Sequence, residues 1–272
     1  MTVISYQGEP GAYMEAATLA LFPQGQPLPC PTFAAAFAAL TDGRADRAVI
    51  AVENRIAGRV ADVHTLLPNS GLHIVGEIFF PIEHHLLALP GATLSDIKSA
   101  HSHVQALAQC RGFLTKHGIE AVDCGDTAGG ARLISESGDK TKAAIASSRA
   151  GDMYGLQSLA ANIADNPKNM TRFLVLSRTP EVPTPAVRCI TTIVFELRSV
   201  PAALYKALGG FATNGINLTK IESYLSPEDF TSAQFYVDIE AHPETEACQH
   251  ALDELRFFTT HLDILGTYPA NR

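Results

Sequence analysis

Short apolar runs alternate with alanine-rich, helix-patterned stretches through the first 180 or so residues. Few architectures accept that rhythm, because each helix must cover a sheet face that the next strand extends. The pattern therefore argues for βαβ units and a mostly parallel sheet. Strands are predicted near 3–7, 47–52, 73–79, 84–89, 97–101, 119–124, 142–146 and 172–177. Between them, Ala12 to Phe22 reads as a helix stopped by Pro23, and Thr32 to Leu40 as one with Thr32 near its N-cap. Val104 to Lys116 and Thr127 to Glu136 repeat the pattern, so this part resembles two stacked α/β lobes.

The clearest boundary is TPEVPTPAVR, where Pro180, Pro183 and Pro185 make a stiff, extended linker. After it the order is a strand from Cys189 to Glu196, a helix from Pro201 to Thr213, strands Asn217 to Tyr224 and Ser232 to Glu240, a helix from Pro243 to Phe257 and a last strand from Leu262 to Tyr268. That is βαββαβ, a ferredoxin-like sandwich.

Composition excludes several functions. Lys plus Arg number 20 against 28 Asp plus Glu, and a net charge of -8 repels a phosphate backbone, so nucleic acid is not an expected partner. The longest apolar stretches, such as Ile78-Phe79-Phe80, fall far short of the ~20 residues that span a bilayer. Met1-Thr2-Val3-Ile4 opens straight into a strand with no basic segment or long apolar run, so a soluble, cytoplasmic protein is expected. Five cysteines without a C-x-x-C pair read as reduced thiols. His84-His85 and His101-x-His103 have no companion Cys or carboxylates at ligand spacing, so no metal is expected and hydrogen-bonded histidines near strand ends are the simpler reading.

Asn169-Met170-Thr171-Arg172-Phe173 sets a hydroxyl beside a guanidinium where a loop enters a buried strand. Arg is well shaped to grip a carboxylate through two parallel hydrogen bonds. Turn chemistry with Arg on a solvated edge explains the same residues. Three other segments place polar groups just after strand-like runs: Gly8-Glu9-Pro10-Gly11-Ala12-Tyr13, Glu53-Asn54-Arg55, and His101-Ser102-His103-Val104-Gln105-Ala106-Leu107-Ala108-Gln109-Cys110. The Gly8 to Gly11 loop can cradle an anion at a helix start, but it lacks G-x-G-x-x-G or a P-loop lysine and is no nucleotide site.

In that order these four segments resemble the prephenate dehydratase family, whose members carry a GPxG-like loop, an E-N-S/T segment, S-H-P-Q-A-L-x-Q-C and T-R-F. From about Arg188 onward the chain looks like the ACT regulatory domain that such enzymes often carry, through Val200-Pro201-Ala202-Ala203-Leu204 and Gly215-Ile216-Asn217-Leu218-Thr219-Lys220-Ile221-Glu222-Ser223.

The resemblance implies a periplasmic-binding-protein-like, two-lobe catalytic domain over 1–180, with lobe 1 at 1–80 and 168–180 and lobe 2 at 81–167. A linker at 181–187 and an ACT domain at 188–272 follow. It implies conversion of prephenate to phenylpyruvate in phenylalanine biosynthesis, with no metal or organic cofactor. Thr171 would donate or relay a proton to the departing hydroxyl, and Glu53 would feed it or instead accept backbone N–H groups at its strand end. Arg172, Asn54, Ser102, Gln109 and Phe173 would bind substrate, although Ser102 also suits an N-cap and Gln109 lies further along the same helix. Phenylalanine would bind as effector around Ala202, Ala203, Leu204, Asn217, Leu218, Glu222 and Ser223, in a homodimer or homotetramer. Gly215 and Asn217 equally suit a helix C-cap and a turn.

The chain departs from the family pattern at Met14, Ala51, Arg55 and Val104, and at Tyr224-Leu225. Arg55 either points outward, adds a second carboxylate clamp or fills the pocket. Arogenate as substrate, or a catalytically silent amino-acid-binding regulator, are the alternatives.

Overall fold

The computed structural model describes residues 1–225 and 233–271. The chain falls into two compact units, one of Met1–Val60 with Ile78–Phe173 and one of Ala61–Glu77 with Leu174–Arg272.

The path begins β1 (Val3–Gln7), α1 (Tyr13–Leu21), β2 (Gln26–Cys30), α2 (Phe33–Thr41), β3 (Arg47–Asn54), β4 (Gly58–Arg59), α3 (Ala61–Leu66) and β5 (His73–Pro81). It continues through β6 (His85–Ala88), β7 (Ser99–Ser102), α4 (Val104–Gln109), α5 (Arg111–His117), β8 (Glu120–Asp123), α6 (Thr127–Ser137), β9 (Lys142–Ala146), α7 (Ser148–Tyr154), β10 (Gln157–Ala160) and β11 (Met170–Ser177). One sheet has the order β2-β1-β3-β11-β5 with β4 against β3, and a second has the order β10-β6-β9-β7-β8. The chain therefore leaves the first sheet at Pro81, enters the second at His85, and returns between Ala160 and Met170.

The second sheet is mixed rather than mostly parallel: β6 pairs antiparallel with both β9 and β10, while β7 runs parallel to β8 and β9. Both of its faces are covered. Leu86, Ala88, Ala143 and Ile145 pack with Leu107 and Leu114 on one side, and Leu87, Ala144 and Ala146 pack with Ala131 and Ile134 on the other. This period-two split explains why its strands read as unbroken apolar runs.

Three local outcomes differ from the sequence reading. β2 is a strand despite Pro27 and Pro29, because it is the sheet's edge, where a missing N–H breaks no ladder. The helix expected over 104–116 divides at Cys110 (φ -109°, ψ 14°), and α5 starts with the Gly112 N–H donating to Asp165 Oδ1 at 3.1 Å. Helices α3 and α7 and strand β10 also go beyond the predicted set.

The second unit carries β12 (Cys189–Leu197), α8 (Ala203–Thr213), β13 (Leu218–Leu225), β14 (Ala233–Ile239), α9 (Glu246–Phe258) and β15 (Thr259–Pro269). The strand order β13-β14-β12-β15, antiparallel throughout, is the ferredoxin-like order that βαββαβ predicts. Ala207 and Phe211 of α8 and Leu252 and Leu255 of α9 bury one face of it against Ile193, Phe195, Val237 and Ile239. The predicted start of the third strand, Ser232, lies outside the described residues.

Candidate active site

A cavity of about 400 Å³ opens within the first unit. Strand alternation decides which of the Thr-Arg-Phe side chains reach it. Thr171 and Phe173 share one face of β11 and line the cavity, whereas Arg172 points to the other face and does not. Its guanidinium is 1% exposed, pairs with Glu53 Oε1 at 3.3 Å and lies 5.9 Å from the ring centroid of Phe79. Glu53, Arg55 and Arg172 line an adjoining cleft of about 310 Å³ that shares Asn54 with the cavity. The residue expected to clamp a carboxylate is thus not brought beside the Thr171 hydroxyl.

Asn54, at the end of β3, is brought there. Its Nδ2 donates to Thr171 Oγ1 at 2.8 Å, and its Oδ1 accepts the backbone N–H groups of Ile56 and Ala57, both at 2.9 Å. The turn fixes the amide, so the donor end faces Thr171. With its oxygen accepting from Asn54, Thr171 keeps its own O–H for the cavity.

Gln109 also lines the cavity, and it joins a network that sequence reasoning missed. Its Oε1 accepts from Asn169 Nδ2 at 2.7 Å and lies 3.2 Å from His84 Nε2. His84 Nδ1 is 2.8 Å from the Tyr13 hydroxyl, whose one proton is shared between that nitrogen and the Glu83 carbonyl, also at 2.8 Å. Burial lowers the basicity of His84, outweighing the opposing hydrogen bond to Gln109, so the ring is neutral and carries a single N–H. Burial likewise holds the Tyr13 phenol well above its usual range. These contacts assign the Nε2–H of His84 to Gln109 and leave Nδ1 to accept from Tyr13. The signal for His84 was only a lone strand-end histidine; nothing in sequence ties residues 13, 84, 109 and 169 together.

Ser102 is fully buried, donates to the Ile145 carbonyl and is absent from the cavity wall. It is not the cap of α4: His103 Nδ1 accepts the Gln105 N–H at 3.2 Å instead. Arg55 is exposed, donates to the Lys168 carbonyl at 3.2 Å and leaves the cavity unfilled, while Met14 and Ala51 line it and Val104 faces solvent.

Neither Lys nor Arg lines this cavity among the described residues. Backbone can supply partial positive charge instead. Ala12, Tyr13 and Met14 bring the amino end of α1 to the wall, and Asp126 and Thr127 bring that of α6. Such ends favour carboxylates. Asp126 caps α6, its Oδ1 accepting the Gly129 N–H at 2.6 Å.

Across the cavity's flank, the loop after β1 is tied to α6 and α7. Glu9 pairs with Arg132 at 2.8 Å, Glu15 with Arg149 at 2.9 Å, and Ser147 donates to the Gly11 carbonyl at 2.8 Å. The Arg132 hydrogen bond lowers the Glu9 pKa against a smaller burial effect.

In the second unit, Asn217 Nδ2 donates to Glu240 Oε2 at 2.9 Å. A cavity of about 390 Å³ there is lined by Asn214, Gly215, Ile216, Glu240 and His242 among others. None of the seven predicted effector residues lines it; Ala202 takes a left-handed conformation (φ 61°) at the start of α8, and Glu222 pairs with Lys220 at 3.4 Å.

A family model described as "Prephenate dehydratase" matches residues 4–181. The chain is 47% identical over 270 residues to a bifunctional N-acyl-homoserine lactone acylase/prephenate dehydratase of Komagataeibacter europaeus, covering 99% of this chain and 96% of that protein. It is 42% identical over 280 residues to arogenate dehydratase/prephenate dehydratase 1, chloroplastic, of Arabidopsis thaliana, covering 98% and 71%. The solved structure of a prephenate dehydratase from Arthrobacter aurescens in complex with L-Phe superposes with a TM-score of 0.90 at 31% identity, covering 98% of this chain and 90% of that one.

Proposed function

Because the chain belongs to the prephenate dehydratase family, a family of carbon–oxygen lyases, we propose that it converts prephenate to phenylpyruvate, carbon dioxide and water in the cavity around Thr171. The observation that carries this reading is the Asn54–Thr171 hydrogen bond at the cavity wall. The C1–carboxylate bond breaks and its electrons enter the ring, the C4–oxygen bond breaks with its electrons staying on oxygen, and that oxygen takes a proton to leave as water. Aromatisation drives both cleavages.

Each part of the wall has a task in this reaction. Thr171 donates a hydrogen bond to the departing oxygen. An aliphatic hydroxyl is too weak an acid to ionise, so it relays a proton that solvent replaces. Phe173, Phe33 and Ile82 give the cavity an apolar side, where a carboxylate loses the hydration that opposes its departure. The pyruvyl carboxylate is retained at the helix amino ends.

The regulatory part of the reading is that residues 188–272 form an ACT domain that binds phenylalanine and pairs with a second copy, in a cytoplasmic enzyme. Arogenate is the alternative substrate, since it differs only in carrying an ammonium in place of the keto oxygen. Similarity at 47% identity to a bifunctional acylase supports a second reading, amide hydrolysis of N-acyl-homoserine lactones. One experiment separates them: incubate the purified chain with prephenate, arogenate and an acyl-homoserine lactone, and follow the ultraviolet absorbance of the aromatic product and the release of free homoserine lactone. No aromatic product from either dienol acid refutes the dehydratase reading.

A further inference from the structure

We propose that Asn169 is a substrate-contacting residue whose Oδ1 accepts the hydrogen bond donated by the ring hydroxyl that departs. The proposal rests on the dehydratase reading above. Asn169 lines the cavity, is 2% exposed, and its Oδ1 is buried with no hydrogen-bond partner. A buried acceptor in that state costs roughly 1–3 kcal/mol, so its place on a ligand cavity calls for a donor from the ligand. Prephenate at neutral pH has ionised carboxylates and a keto oxygen, which only accept. Its ring hydroxyl is the sole donor it can offer.

The position fits that donor. Asn169 stands two residues before Thr171, and in extended chain such side chains share a face about 7 Å apart. A hydroxyl lodged between them can accept from Thr171 and donate to Asn169, which satisfies both of its hydrogen-bonding roles and orients the carbon–oxygen bond.

The missed network then acquires a purpose. The Tyr13 hydroxyl, shared between the Glu83 carbonyl and His84 Nδ1, favours the tautomer whose Nε2–H donates to Gln109 Oε1. That oxygen also accepts from Asn169 Nδ2, so the amide of Asn169 is held with its nitrogen on Gln109 and its oxygen left without a protein donor. Tyr13, His84 and Gln109 are positioning residues in this scheme, acting through Asn169.

The test compares two ligands that differ at the hydroxyl. Prephenate carries it, and the product phenylpyruvate does not. In Asn169→Ala, kcat/KM for prephenate should fall roughly tenfold to a hundredfold, while the inhibition constant of phenylpyruvate stays within about threefold of the unaltered chain. Tyr13→Phe removes a single hydroxyl and leaves Asn169 in place, so it keeps the test alive if the alanine variant does not fold; it should show the same asymmetry at about three- to tenfold. Equal weakening of both ligands, or an unchanged prephenate value, overturns the proposal while leaving the dehydratase reading intact. Failure of the unaltered chain to turn over prephenate overturns both.

Discussion

Asn54 Nδ2 lies 2.8 Å from Thr171 Oγ1, joining two residues 117 positions apart in sequence. The same amide's oxygen is held by two backbone N–H groups, so its direction is fixed by the turn rather than by the bond to Thr171. A fixed donor on the threonine oxygen leaves the threonine proton to the substrate.

The first prediction follows from that direction. Asn54→Asp keeps the acceptor for the turn but replaces the donor by a second acceptor, to which Thr171 would give up its proton. The kcat for prephenate should drop roughly 10²-fold or more, as in Thr171→Ala, and the double variant should be little worse than either alone. Steady-state kinetics decide it; additive losses would mean that the two residues act separately.

Arg172 leads to a different expectation from the one its neighbour in sequence invites. It is buried against Glu53 and outside the cavity of Thr171, so Arg172→Met should act mainly on folding, by roughly 1–2 kcal/mol, because the Glu53 carboxylate it leaves behind is 31% exposed. Urea unfolding and KM should be measured together. A large rise in KM with an unchanged unfolding midpoint would return Arg172 to the role of carboxylate clamp.

How far the sequence reveals this site depends on which spacing is informative. Thr171, Phe173, Asn54 and Gln109 all line the cavity and were recognisable from motifs of neighbouring residues. Adjacency does not bring Arg172 to the same wall as Thr171, because a period of two sends consecutive side chains to opposite faces. Tyr13 and Asn169 stand in those motifs and His84 at a strand end, but the bonds that link them join four distant segments and no local pattern records them. The ferredoxin-like unit was legible from its alternation alone, but Pro27 and Pro29 concealed β2, whose tolerance for proline depends on its place at a sheet edge.

Stability should fall with acid through His84. Its folded pKa is lowered by burial from the ordinary 6.5, so between the two values the unfolded chain binds more protons and stability rises with pH. The loss begins as pH falls through about 6.5 and ends below the folded pKa. His101 is also lowered by burial, so His84→Gln should reduce the slope and not abolish it. Urea midpoints at several pH values check this; an identical slope in the variant would mean that other groups control the acid limb.

Two glycines should respond oppositely to alanine. At Gly266 in β15 an added Cβ would meet the backbone of Ile74, which has no side chain to swing away, so Gly266→Ala should destabilise by about 2–3 kcal/mol. At Gly209, inside α8, the same atom meets nothing within 4 Å, and Gly209→Ala should stabilise by roughly 0.5–1 kcal/mol through helix propensity. Denaturant unfolding monitored by circular dichroism gives both signs.

The last prediction concerns phenylalanine. Asn217 and Glu240 are joined at 2.9 Å, and Glu240 also pairs with Arg188 at 2.8 Å, beside the turn that Gly215 makes at φ 67°. This places the Glu240 carboxylate on the wall of the second unit's cavity beside Gly215 and Ile216, where it is complementary to the ammonium of an amino acid. If phenylalanine acts there, Asn217→Ala should raise the phenylalanine concentration that half-inhibits prephenate turnover by roughly fivefold or more, without changing uninhibited kcat, because coupling requires differential affinity for two states and the substitution alters only the effector's share. Inhibition curves on the full chain test it. Unchanged inhibition in Asn217→Ala would locate the effector away from this turn.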